Sequence, residues 1–185
     1  MNNLVKTLTK DIIIDQRIEN IFKILLFSFL MFVGSLIKVY LPYTPVPITL
    51  QTFFLFISIY YLSPKQVGMS QTLYIIAGLI GLPVFAAGIT GMLSLIGPTA
   101  GYLLGFIVAG VIMSILKEKI KTTVLNMFYL FILGTIIIYF FGIIHLCIIY
   151  KINISAAIKI GALPFIIGDL IKISIASMIS LKNRI

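Results

Sequence analysis

Six apolar runs, parted by short connectors, decide what this chain can fold into. They cover about 21–41, 48–62, 67–87, 95–116, 124–150 and 155–181. A helix crossing the hydrocarbon core of a bilayer needs ~20 mostly apolar residues. The first, fourth, fifth and sixth runs meet that length. The second is short and needs cover from protein, or a tilted and thinned setting, to span. The third runs into Gly81-Leu82-Pro83, where a regular helix is broken. Irregular backbone at membrane depth survives only where protein or a cavity covers it, so residues 81–97 are a place to look for a site.

Composition points the same way. Of the 185 residues 61% are hydrophobic and only 10% are charged, whereas soluble chains carry roughly 25% charge. The expectation is an all-α integral membrane protein: one transmembrane domain over 1–185, with lipid bilayer as solvent and residues 1–20 as an N-terminal cytoplasmic segment. The net charge of +9 does not indicate nucleic acid, because the basic residues are dispersed between apolar runs. Their distribution sets orientation instead. Lys6, Lys10, Arg17, Lys23, Lys65, Lys117, Lys119, Lys121, Lys182 and Arg184 fall on one side of a six-span topology, against Lys38, Lys151 and Lys159 on the other. Ten against three places both termini in the cytoplasm, as an even number of spans requires. Asp11, Asp15 and Glu19 interrupt the early lysines and no small-residue cleavage site follows the first run, which therefore reads as a retained membrane helix.

Three motifs stand out from this apolar background. The first is Gly168-Asp169-Leu170-Ile171-Lys172, with Pro164 about one turn earlier. Ionisable residues within a membrane helix are expensive and are functional candidates by default. At i and i+3 the two share a helical face and partly neutralise each other. The pair is either a structural tie between helices or the polar wall of a ligand pocket, and one pair can be both. The second motif is Pro42-Tyr43-Thr44-Pro45-Val46-Pro47-Ile48-Thr49-Leu50-Gln51. Its three prolines impose an extended loop, after which Thr49 and Gln51 enter the second run. The third is the glycine-rich stretch from Gly78 to Gly91, followed by Gly97-Pro98-Thr99-Ala100-Gly101-Tyr102. Glycine allows close backbone approach to a ligand or a neighbouring helix, and Gly101 and Gly105 form a small-xxx-small pair suited to helix packing.

Other chemistries lack their parts. No Gly-Lys-Ser or Gly-Lys-Thr completes a phosphate loop. His145 is the only histidine, with no cluster of carboxylates to make a metal site. Cys147 is the only cysteine and reads as a small packing residue. No nucleophile has a partner base, so neither an enzyme nor a bound cofactor is expected.

Taken in order, Val46-Pro47-Ile48-Thr49-Leu50-Gln51-Thr52, Tyr74 through Gly91, Gly97-Pro98-Thr99-Ala100-Gly101-Tyr102, and Pro164-Phe165 with Gly168-Asp169 and Lys172 closely resemble the BioY family. These are the biotin-specific S components of energy-coupling factor (ECF) transporters. The resemblance runs from about Gly34 to the C-terminus. It implies the six-transmembrane-helix ECF S-component fold, biotin as ligand, and placement in the bacterial inner membrane. It also implies docking onto a transmembrane coupling subunit driven by two ATPase subunits. Within the family the aspartate and lysine of the last helix contact the ligand, matching Asp169 and Lys172, and a polar position in the glycine-rich segment contributes, with Thr90 as the match. Gln51, Thr49, Phe85, Thr99, Tyr102 and Tyr74 join them as candidate ligand-binding residues. Asp169 suits an N–H of the ureido ring; Lys172 suits either the ureido oxygen or the valerate carboxylate. The family's Gly-Pro-Thr-Gly-Gly-Tyr reads Gly-Pro-Thr-Ala-Gly-Tyr here. Its Ala-xxx-Ala docking pattern on the first helix is replaced, leaving Ser28, Gly34 and Ser35 as docking candidates. Competing readings are an S component for another vitamin such as thiamine or riboflavin, a lipid-modifying membrane enzyme, and a membrane scaffold.

Overall fold

The computed structural model describes residues 16–88 and 90–179. Lys6, Lys10, Asp11, Asp15, Lys182, Arg184 and the end of the sixth apolar run at 180–181 lie outside the described residues.

Helices dominate because apolar segments in lipid must satisfy their backbone groups internally. Seven α-helices are present among the described residues: α1 Gln16–Leu36, α2 Gln51–Tyr61, α3 Pro64–Leu79, α4 Ala100–Lys117, α5 Val124–Tyr150, α6 Ile154–Gly161 and α7 Ile166–Met178. Two-residue strands, β1 Lys38–Val39 and β2 Ile48–Thr49, pair antiparallel with Lys38 opposite Thr49. Turns of 3-10 helix lie at Gly91–Ile96 and Leu163–Phe165. Four stretches among the described residues are long and apolar enough to cross a membrane: α1, α4, α5, and α6 with α7 counted together.

Local chemistry fixes the helix ends. Pro64 begins α3, where its missing N–H is no loss, and the Gln66 side chain accepts from the Ser63 N–H at 2.9 Å. Thr123 and Asn153 cap α5 and α6 by accepting from Asn126 N and Ala156 N. Lys151 ends α5 in the left-handed region, with φ 53°.

Three apolar runs differ from their expected shape. The first leaves the helix at Leu36, and its tail becomes β1. The third stops at Leu79, ahead of Gly81 with φ 105°. The sixth is two helices rather than one. Pro164 lacks an N–H and disfavours helix at the residue before it, so residues 162–165 turn sharply between α6 and α7. The fifth run, 124–150, matches α5 from end to end.

The short α2 spans only ~16 Å at 1.5 Å per residue, and protein covers it. It packs on α1, α4 and α7, burying Gln51, Thr52, Leu55, Phe56, Ser58 and Ile59. Phe56 stacks on Phe131 of α5 at 4.7 Å between ring centroids. Glycines bring α4 and α5 together. A Cβ on Gly105 would lie 2.9 Å from the Ile138 Cα, and one on Gly101 would strike the Phe141 carbonyl. The small-residue packing read for Gly101 and Gly105 is therefore the α4–α5 interface. Away from this core, Ile18, Ile21, Phe22, Leu25 and Phe29 of α1 are exposed, as expected of a face that meets lipid.

Candidate functional site

The helix break at Pro164 brings Asp169 into the first turn of α7, where the positive end of the helix favours a carboxylate. Lys172 follows one turn later and donates to Asp169 Oδ1 at 2.8 Å. The two side chains are only 12% (Lys172) and 6% (Asp169) exposed, so the pair is held largely out of water.

The pair is tied to two further helices. Thr52 of α2 donates to Asp169 Oδ1 at 3.2 Å and accepts from Lys172 Nζ at 3.2 Å. Tyr139 of α5 donates to Asp169 Oδ2 at 2.6 Å. Three helices thus converge on one carboxylate, and both of its oxygens accept hydrogen bonds.

These four groups form the polar wall of a narrow slot with a cavity volume of about 50 Å³. The remaining walls come from Val46, Pro47, Ile48, Thr49, Gln51, Ala86, Thr99, Tyr102, Leu103, Phe106, Ile138 and Phe165. A charged corner in a mainly apolar slot suits a mainly apolar ligand with a polar edge.

Two segments cover the slot. The proline-rich loop after β1 is pinned by Thr44, whose hydroxyl donates to the Ile160 carbonyl of α6 at 2.6 Å. The segment 82–88 forms a strap held by its carbonyls. Ser35 and Tyr74 donate to Val84 O at 2.7 and 2.9 Å. Lys38 and Tyr40 donate to Ala86 O at 2.9 and 2.8 Å. Gly81 and Gly88, with φ 105° and 75°, bracket the strap and allow its sharp turns.

Of the residues singled out from sequence, Asp169, Lys172, Gln51, Thr49, Thr99 and Tyr102 line the slot. Thr49 donates to Gln51 Oε1 at 3.2 Å, and Gln51 Nε2 donates to the Tyr74 hydroxyl at 2.8 Å. Tyr102 is held by its own hydrogen bond to Gly161 O at 2.7 Å, and its ring lies against Gly142. Tyr74 and Phe85 stand behind the wall, edge to face at 5.6 Å, and support the strap rather than the slot. Thr90 precedes the 3-10 turn at Gly91 and is not among the lining residues. His145 donates from Nε2 to the Gly97 carbonyl at 2.9 Å and so steadies the turn before Thr99.

Two of the three docking candidates need correction. Gly34 faces α2, where a Cβ would come within 3.0 Å of the Gln51 backbone. Ser35 is 1% exposed and donates to Val84 O and Phe32 O. Both are occupied inside the protein, and only the half-buried Ser28 retains surface. Thr52 and Tyr139 are the site residues that sequence reasoning missed. Thr52 ends the Val46–Thr52 motif and could have been found there. Tyr139 sits in a helix that is apolar on every face, with no pattern to mark it.

Comparison with known proteins identifies the family. A model of the BioY family matches residues 3–184. The biotin transporter BioY of Thermotoga maritima is 39% identical over 161 residues, covering 86% of this chain and 92% of that one. The probable biotin transporter BioY of Rickettsia prowazekii is 34% identical over 182 residues, covering 96% and 92%. A crystal structure of the S-component for biotin from an ECF-type ABC transporter superposes with a TM-score of 0.82 at 24% identity, over 92% of this chain and 93% of that one, and so shares the fold. The chain belongs to the BioY family.

Proposed function

We propose that the chain is the biotin-binding S component of an ECF transporter in the bacterial inner membrane. The observation that carries this is the buried Asp169–Lys172 pair forming one wall of an apolar slot. A charge pair at that depth is costly to maintain, by about 2.5–3.5 kcal/mol per charged residue at mid-membrane on insertion scales. Biotin matches it in polarity: a fused bicycle with a planar ureido edge and an acidic tail. In this reading the ureido edge meets Asp169 and Lys172, while Tyr102, Phe106, Ile138 and Phe165 enclose the bicycle.

The spans are α1, α2, α3, α4, α5, and α6 with α7 as the sixth. The slot opens outward, both termini are cytoplasmic, and the lysine asymmetry supports this orientation. The sequence carries no ATP-hydrolysing motif, and in this reading a transmembrane coupling subunit and two ATPase subunits energise accumulation. Uptake of radiolabelled biotin in cells unable to make or import it tests the assignment. Accumulation is expected when the chain is expressed with an ECF module, and its loss is expected in Asp169→Asn. Equal uptake by cells with and without the chain would overturn it.

A further inference from the structure

We infer that Tyr139 is a direct ligand contact and that its hydroxyl accepts a ureido N–H. The inference rests on the biotin reading and names a third polar contact within the same site. It follows from counting hydrogens around Asp169. The Tyr139 hydroxyl has one hydrogen, and that hydrogen is committed to Asp169 Oδ2 at 2.6 Å. Toward the slot, Tyr139 therefore presents lone pairs only. The single Thr52 hydrogen is likewise committed, to Asp169 Oδ1. Lys172 uses two of its three hydrogens on Asp169 Oδ1 and Thr52 Oγ1, which leaves one donor. The polar wall thus offers a pure acceptor at Tyr139 beside a donor at Lys172.

A cyclic urea is complementary to that pattern, with an N–H next to a carbonyl. Because Asp169 fixes the tyrosine hydrogen, Tyr139 cannot turn to donate without breaking a short charge-assisted bond. The site then discriminates against ligands whose matching edge carries an acceptor in place of the N–H, since two acceptors would face each other without a proton. Phe165 packs against the ring at 6.4 Å between centroids, and the bond to Asp169 fixes the hydroxyl.

Purified protein in detergent is titrated with biotin and with two analogues, each methylated on one ureido nitrogen. The unmutated protein is expected to bind biotin and to bind one of the two analogues at least about tenfold more weakly, the loss expected for one hydrogen bond left unmade in a buried site. Tyr139→Phe is expected to weaken biotin by a similar factor while leaving its affinity for that analogue nearly unchanged. A tyrosine with a structural role alone would weaken all three ligands in parallel, and that result would overturn the inference. So would equal binding of biotin and both analogues by the unmutated protein, a measurement that does not depend on the variant folding. If the unmutated protein binds no biotin, the functional assignment fails and the inference fails with it.

Discussion

Lys172 lies 2.8 Å from Asp169 on the same face of α7, and the two neutralise each other beside a slot lined mainly by apolar side chains. The arrangement separates two roles that single substitutions confound. Lys172→Met leaves a buried carboxylate without its counter-ion and should destabilise the protein by about 3–5 kcal/mol, with biotin binding lost. The double variant Asp169→Asn, Lys172→Met removes both charges together. It should regain much of the thermal stability yet remain unable to bind. Melting curves in detergent and titration calorimetry on the same samples check both halves.

The α4–α5 interface depends on the absence of side chains. Gly105→Leu would drive a branched side chain into the Ile138 backbone, and overpacking of this kind costs about 1–3 kcal/mol or more. Gly168→Ala is the contrasting case, because its Cβ would meet only Ile48 Cγ2 at an ordinary 3.8 Å. The first variant should show a lowered melting temperature and the second should melt close to wild type.

The strap over the slot is held by four donors to two carbonyls. The double variant Lys38→Met, Tyr40→Phe removes both donors to Ala86 O. Amide hydrogen exchange in residues 82–88 should then speed up, and biotin should dissociate faster with little change in its association rate. Gly88→Ala acts on the same segment through the backbone. Open space surrounds it, but φ is 75°, so strain of about 1–2 kcal/mol is expected, again read by exchange in the strap.

Tyr74 joins the slot to the strap. It accepts from Gln51 and donates to Val84 O. Tyr74→Phe strands a buried amide hydrogen and half-strands a carbonyl, for a loss of about 1–3 kcal/mol. The melting temperature should fall, and Gln51→Leu in the same background should add less than it does alone, because the two share one bond.

Much of this was written in the sequence, and the exceptions have physical causes. The i, i+3 acid–base pair announced itself because charge within an apolar run is so costly. The proline-rich loop and the glycine-rich stretch marked where helices must stop. The split of the sixth run into α6 and α7 was less visible, since Pro164 is equally at home in the first turn of a helix and at a break. Gly34 and Ser35 misled because small residues serve an internal helix contact and an external one equally well. Tyr139 was hidden altogether: α5 is apolar on all sides, so no periodic face singles out the one turn that meets Asp169. Such residues emerge only when the tertiary fold sets three helices around one carboxylate.

Titration calorimetry of the purified, unmutated protein with biotin, thiamine and riboflavin tests the central claim most directly. The account predicts saturable binding of one biotin per chain and no measurable heat from the other two vitamins. Silence with biotin, or saturable binding of thiamine or riboflavin in its place, would contradict it.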